Sequence, residues 1–338
     1  MARPNCIAVQ MLINTLRVFT ALTLIAFSAG AWNGVAHRTV AELVWRQMDP
    51  GARRAASDLL RQHPHYKLLL AVDVPAGVDT NEWVFLNAAA WPDWVRQARP
   101  GDPPKPRLVT KYDGYPHGIG YPFLRRGDTN MALLEKFFIA KPDAEMVLSN
   151  SFATLKSRNA SPHDRAVSLC WALHLCGDLH QPLHAANLVT KDRPHGNDLG
   201  GAFIARDGHG KRIDLHAFWD RQFGLDFSCR AVAALADDLV AASELQPVAL
   251  AEYQTNKTIA AWTQESYRVA VDFAYADDRV QFVRADAVDS GAVSPSAIPS
   301  LTADYIRQAR EIARRRVALA GLRLSDELRQ AWRAGNRL

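Results

Sequence analysis

The stretch SPHDRAVSLCWALHLCGDLH, residues 161–180, constrains the chain more than any other. Ser161 followed by Pro162, with Asp164 in the first turn, is a strong helix start. Apolar residues then recur at helical spacing and carry His174 and Asp178 among them. Four residues apart, these two project from one helix face about one turn from each other. An imidazole and a carboxylate among Leu, Trp and Ala are costly to bury unless they are paired or bound to a metal. Pro182 ends or bends the helix before His184.

The same spacing returns in LHAFWD, as His216 and Asp220. A single His-x3-Asp pair reads most simply as a helix hydrogen bond. Two such pairs in apolar surroundings point to metal ligation instead. Histidine and aspartate without cysteine favour zinc or a similar divalent ion over an iron–sulfur cluster. His174, Asp178, His184, His216 and Asp220 already exceed one tetrahedral zinc site, so a cluster of two or more ions is expected. Paired cations typically serve phosphoryl transfer, because they stabilise both the attacking and the leaving oxygen.

Helical periodicity dominates elsewhere too. Residues 37–48 set Val40, Leu43 and Val44 on one face, and further helices are expected over 131–140, 162–180, 230–244, 248–274, 301–321 and 324–335. The last two are rich in the strong helix formers Arg, Ala and Leu. Residues 99–107 and 190–201 read as loops, 201–216 as a short hairpin around Asp207-Gly208, and 290–300 as a link to the last helices. With no internal repeat and no domain boundary, the fold class is mostly α, a single domain over 32–338 with long loops and a small hairpin.

Residues 1–31 read as a secretory signal: Arg3 and Arg17 without acidic residues, the apolar run VFTALTLIAF, then Ala29-Gly30-Ala31. Ten apolar residues are too few to span a bilayer, so no stable membrane association is expected. Cleavage after Ala31 makes Trp32 the first residue of a secreted or periplasmic protein. Losing two arginines takes the formal charge from +5 to +3, which suits an anionic substrate without demanding one, and no like-charge block marks a nucleic-acid tail. Cys170, Cys176 and Cys229 remain; one pair plus a free thiol is possible, and the sequence does not assign it.

At HLCGDLHQPLH and LHAFWD the chain resembles the S1/P1 nuclease family, zinc-dependent relatives of phospholipase C. The resemblance implies a helical fold with three zinc ions and extends from Trp32 to Asp220. It implies that the amino group and carbonyl of an N-terminal tryptophan bind one zinc together with a histidine five residues on, the spacing of Trp32 and His37. AWPDWVR then offers Asp93 and Arg96, and PHGIGYPF offers His117. Carried over, one zinc takes Asp93, His117, His174 and Asp178; a second takes Trp32 and His37, with Asp178 bridging; a third takes His184, His216 and Asp220. The two close ions would share a water and activate it as hydroxide to attack phosphorus, with Asp93 orienting it and Arg96 binding phosphate. Asn197 matches a Gly-Asn that recurs in the family and either shapes its loop or touches substrate.

On residue type alone, Asp93 reads as a helix cap, His117 as surface and Arg96 as a surface ion pair. His180 falls outside the implied ligand set and is expected to pack or to hydrogen-bond behind it. His63, His65, His163, His195 and His209 read as solvated. The family carries aromatics around the histidine at His117, where this chain has Pro116, Gly118 and Gly120, so a base-stacking platform is not expected at those positions. The activity implied is that of an exported zinc endonuclease or 3′-nucleotidase acting on single-stranded RNA or DNA or on nucleotides, with no protein partner. The alternatives are a phospholipase C-like phosphodiesterase, disfavoured by the short Trp32–His37 gap and by aspartate at Asp220, and an exported zinc-binding helical protein without turnover.

Overall fold

Side-chain caps set most of the helix boundaries. Asn33 Oδ1 accepts from Ala36 N and opens α1 (Gly34–Gln47). Asp49 with Pro50 opens α2 (Pro50–Leu60). Helix α3 is Thr80–Val95, and Asp143 caps α4 (Ala144–Lys156). Ser161 and Pro162 open α5 (Pro162–Asp178) as the sequence pattern implies. The short α6 (Pro182–Ala185) follows, then α7 (Leu215–Asp220) capped by Asp214 and α8 (Cys229–Ala241) capped by Ser228. Thr258 caps α9 (Ile259–Val269), and the long α10 (Ala303–Gly335) closes the chain. Each cap satisfies an N–H that the first helical turn leaves without an internal partner.

This computed structural model describes residues 32–95, 115–276 and 279–335. The expected leader 1–31, Arg96 and the proline-rich loop 99–107 lie outside the described residues. The architecture is mostly helical with two small sheets. Strand β1 (Tyr121–Phe123) pairs in parallel with β2 (Ala186–Leu188), Tyr121 opposite Ala186. Strands β3 (Phe203–Arg206), β4 (Arg212–Asp214) and β5 (Val283–Arg284) form the second sheet, with β3 central and antiparallel to both. The hairpin expected over 201–216 is β3–β4, and Asp207 Oδ1 accepts from His209 N and Lys211 N at its turn.

One large apolar core joins α1, α3, α4, α5, α8 and α10 around Trp45, Phe85, Trp91, Phe152 and Trp171. A second, beside the sheets, gathers Phe218, Trp219, Phe273 and Tyr305. The site forms where the two meet, at the C-terminal end of α5 and through α6. Trp32 is in the first core, stacked on Phe223 at 5.6 Å. No described helix is long and apolar enough to cross a membrane.

Several sequence expectations are corrected. The stretch 131–140 is helical only over Ala132–Glu135, because Met131 and Phe138 face solvent and the segment has no core to pack on. The expected helix 248–274 is interrupted at Asn256 and Lys257, ahead of the Thr258 cap. Helices expected separately over 301–321 and 324–335 are one. Gly321, the last residue of the first expected helix, stays helical where α10 crosses α1: a Cβ there would meet Leu43 Cβ at 3.0 Å. Helices α2, α3 and α4 were not expected from periodicity. Cys170, Cys176 and Cys229 are all free.

Candidate metal centre

Six elements carry the predicted ligand side chains inward. Helix α5 presents His174 and Asp178 from one face, both fully buried. Helix α1 brings His37, whose ring stacks on His174 with centroids 3.8 Å apart. Helix α3 brings Asp93 immediately after Pro92, so Asp93 lies inside a helix and is not its cap. Pro92 cannot donate to the carbonyl four residues back and loosens the helix there. One residue on, the Ala89 carbonyl accepts from His174 Nδ1 at 2.8 Å. The loop before β1 supplies His117.

His174 Nε2 lies 3.0 Å from Asp178 Oδ2 and 3.8 Å from Asp93 Oδ1. His117 Nδ1 approaches the same two carboxylates at 3.2 and 3.8 Å. On the other side of Asp178, Oδ1 faces His37 Nε2 at 3.2 Å. Asp178 thus turns one oxygen to each of two donor sets. A third set is built from α6 and α7: His216 Nε2 lies 3.3 Å from Asp220 Oδ2, and the His184 and His216 rings stack at 5.0 Å. His184 Nδ1 is 3.6 Å from Asp178 Oδ1, so this set adjoins the others.

Backbone carbonyls fix the imidazoles. His174 Nδ1 donates to Ala89 O, His184 Nδ1 to His117 O and His216 Nδ1 to Leu199 O, each within 2.8 Å. That turns each Nε2 inward, the orientation outer partners impose on metal-binding histidines. His37 Nε2, His184 Nε2, Asp93 Oδ1, Asp178 Oδ1 and Asp220 Oδ2 are buried without a hydrogen-bond partner. Buried polar atoms are nearly always satisfied. These five exceptions converge, and three groups could each hold a metal ion: His37 with His174 and Asp178, Asp93 with His117 and His174, and His184 with His216 and Asp220. The all-nitrogen-and-oxygen donor set fits a divalent transition metal.

The protonation balance agrees. Burial pushes the Asp178 carboxyl up, but the surrounding His174, His184 and His37 hold it well below the carboxylate range. Burial alone would lower His174; Asp178 and Asp93 raise it to about 9. His184 is driven down to about 3 by burial, leaving a neutral imidazole, and burial drives Asp220 up to about 7. A bound cation would favour the ionised form that burial denies Asp220.

The S1/P1 nuclease family model matches residues 32–333. The chain belongs to the S1/P1 nuclease family. The search of curated proteins found no match. Membership makes this chain a nuclease-type hydrolase whose substrates are nucleic acids.

In this S1/P1 nuclease, eight of the nine expected ligand residues meet through their side chains. Trp32 stands next to them: the Asn33 N–H donates to Asp220 O, and Trp32 and His37 occupy the positions before the cap and at the fourth helical residue of α1. Those positions face each other across a first helical turn. Arg96 lies outside the described residues. Asn197 is fully buried; its N–H donates to Asn187 Oδ1 and its Oδ1 accepts from Tyr275 Oη at 3.5 Å. It shapes the loop whose Leu199 carbonyl holds His216.

His180 packs behind the site as expected, donating from Nδ1 to Cys176 O and accepting from Arg323 at Nε2. His63 and His65, read as solvated, are buried against Trp91, with Trp91 Nε1 donating to His65 Nδ1. The sequence reading missed Gln181, which donates to Asp220 Oδ1 at 2.9 Å. It also missed the clamp on the α5–α6 turn. Ser266 donates to Leu179 O and Arg316 to His180 O, and Glu265 holds both Arg316 and Arg323. Those partners come from α9 and α10, too distant in sequence for any local pattern to show.

Proposed function

We propose that the mature protein begins at Trp32 and is an exported phosphoesterase with three zinc ions, acting on single-stranded RNA or DNA and on 3′-nucleotides. The observation that carries this reading is the set of convergent, unpartnered buried donors split by Asp178 between two adjoining groups. Asp93, His117, His174 and Asp178 would hold one ion, Trp32 and His37 a second beside Asp178, and His184, His216 and Asp220 the third. Bound zinc supplies Lewis acidity, which lowers the pKa of water and stabilises charge on phosphate oxygen.

The protein's own groups do the positioning. The side chains of Asp93 and His117 are 19% and 17% exposed, while those of His37, His174 and Asp178 are fully enclosed, so substrate reaches the centre past Asp93 and His117. Asp93, partly exposed at the mouth of the centre, would orient an attacking water. Arg96, three residues beyond Asp93, would meet the phosphate with its planar fork of donors. Asn197 acts through its loop on His216.

The test is an activity panel on zinc-loaded protein starting at Trp32, spanning single-stranded RNA and DNA, duplex DNA, 3′-nucleotides and a phosphocholine ester. Cleavage of single strands and release of phosphate from 3′-nucleotides are expected. Phosphocholine release with no nucleotide product would overturn the substrate assignment.

A further inference from the structure

Beside His117 the surface is unequal on its two sides. On one side, Gly118 has no room for a side chain: a Cβ would lie 2.8 Å from His184 O, against backbone fixed by Ile119 N and Gly120 N donating to that same oxygen. Gly120 has φ +60°, and a Cβ there would lie 2.8 Å from Leu199 Cδ2. Neither glycine offers a ring on which a planar ligand could stack.

On the other side a cleft of about 310 Å³ opens between α4 and α5. Tyr115 and Trp171 line it, their rings edge-to-face at 4.9 Å, and Trp171 meets the His117 ring at 5.7 Å. Tyr115 is 42% exposed and can meet a ligand in the cleft, whereas Trp171 is buried and serves as the floor. The Trp171 indole N–H has no acceptor among the described residues. Val147 and Val167 add apolar wall, and Asn150, exposed on α4, makes no hydrogen bond among the described residues. An exposed aromatic ring beside a free carboxamide suits a flat heterocycle with a polar edge.

We infer that the Tyr115–Trp171 cleft is the nucleobase subsite of this enzyme, holding a base that flanks the phosphate at the metal centre. Tyr115 stacks on the base and Asn150 meets its edge. Ser151, Thr154, His163, Asp164 and Ser168 also line the cleft and add to what distinguishes one base from another. This inference rests on the nuclease reading above.

A thermodynamic cycle tests it, with a short oligothymidylate and the same oligomer made abasic at the cleaved step, each against wild type and Tyr115→Ala. Removing the ring is expected to raise KM for the base-containing oligomer by about 5- to 150-fold, and to add little once the base is gone. A 2-aminopurine in the oligomer should be quenched on binding wild type and not on binding Tyr115→Ala. Asn150→Ala, at an exposed position, gives a second reading: a smaller rise in KM confined to the base-containing oligomer. Equal KM for both proteins on thymidylate, or equal losses with and without the base, overturns the cleft assignment while leaving the nuclease reading intact. Cleavage of neither oligomer by zinc-loaded wild type overturns both.

Discussion

Replacing Gly177 with alanine sets two effects of opposite sign against each other. Gly177 lies in α5 next to Asp178, where alanine is better than glycine by about 1 kcal/mol. A Cβ there would lie 2.9 Å from His37 Nδ1 and 3.2 Å from Cε1, inside the 3.4 Å of ordinary contact. The His37 ring must therefore retreat by roughly 0.5 Å, the scale at which a built site loses its geometry. It has no free direction, being fully buried, stacked on His174 and 3.2 Å from Asp178 Oδ1. Metal–donor distances tolerate only about ±0.2 Å. The helix gain offsets the local strain, so stability without metal should change by no more than about 1 kcal/mol. Metal affinity at the His37–Asp178 site should fall about 10- to 100-fold, as for losses of outer support. Thermal unfolding of the metal-free protein and calorimetric zinc titration read the two effects separately. Wild-type zinc affinity in the variant would refute the reasoning, and collapse of the metal-free fold would show that His37 is held there for packing.

Other outcomes follow from the same geometry. Burial raises the Asp220 carboxyl from 3.8 to about 7, so the folded metal-free protein binds that proton more tightly than the unfolded chain. The stability that this proton confers is therefore lost as pH rises from about 4 to 7. Asp220→Asn should remove that slope and raise the metal-free melting temperature at pH 8; an unchanged pH profile contradicts this. Glu265→Gln leaves Arg316 and Arg323, 3% and 2% exposed, without their carboxylate. It should cost about 3–5 kcal/mol in denaturant unfolding, and a loss under about 1 kcal/mol would show the clamp to be dispensable. Retaining a methionine before Trp32 turns an amine into an amide with no lone pair for a metal. That form should bind less zinc and lose most activity, and a verified Met-Trp32 protein with full activity would remove Trp32 from the ligand set.

The sequence made the site more legible than the scaffold. His174 with Asp178, and His216 with Asp220, announce themselves because helical spacing alone puts each pair on one face. Ser161-Pro162 fixes the start of α5 for equally local reasons. What stayed hidden depends on distant partners. The helix runs on through Gly321, where the missing Cβ leaves room for Leu43, far away in the chain. His63 and His65 look like loop residues until Trp91 packs on them. The polar carbonyls that orient His174, His184 and His216 belong to Ala89, His117 and Leu199, and a backbone oxygen leaves no signature in residue type.

The central claim is that the buried histidines and aspartates exist to hold zinc for phosphodiester cleavage. Zinc per chain, measured by mass spectrometry in the same samples assayed for single-strand cleavage during stepwise chelation and refilling, tests it directly. Three zinc ions per chain are expected at saturation, one for each donor set, with cleavage rising and falling with their occupancy. Full cleavage by protein stripped of its zinc would contradict it.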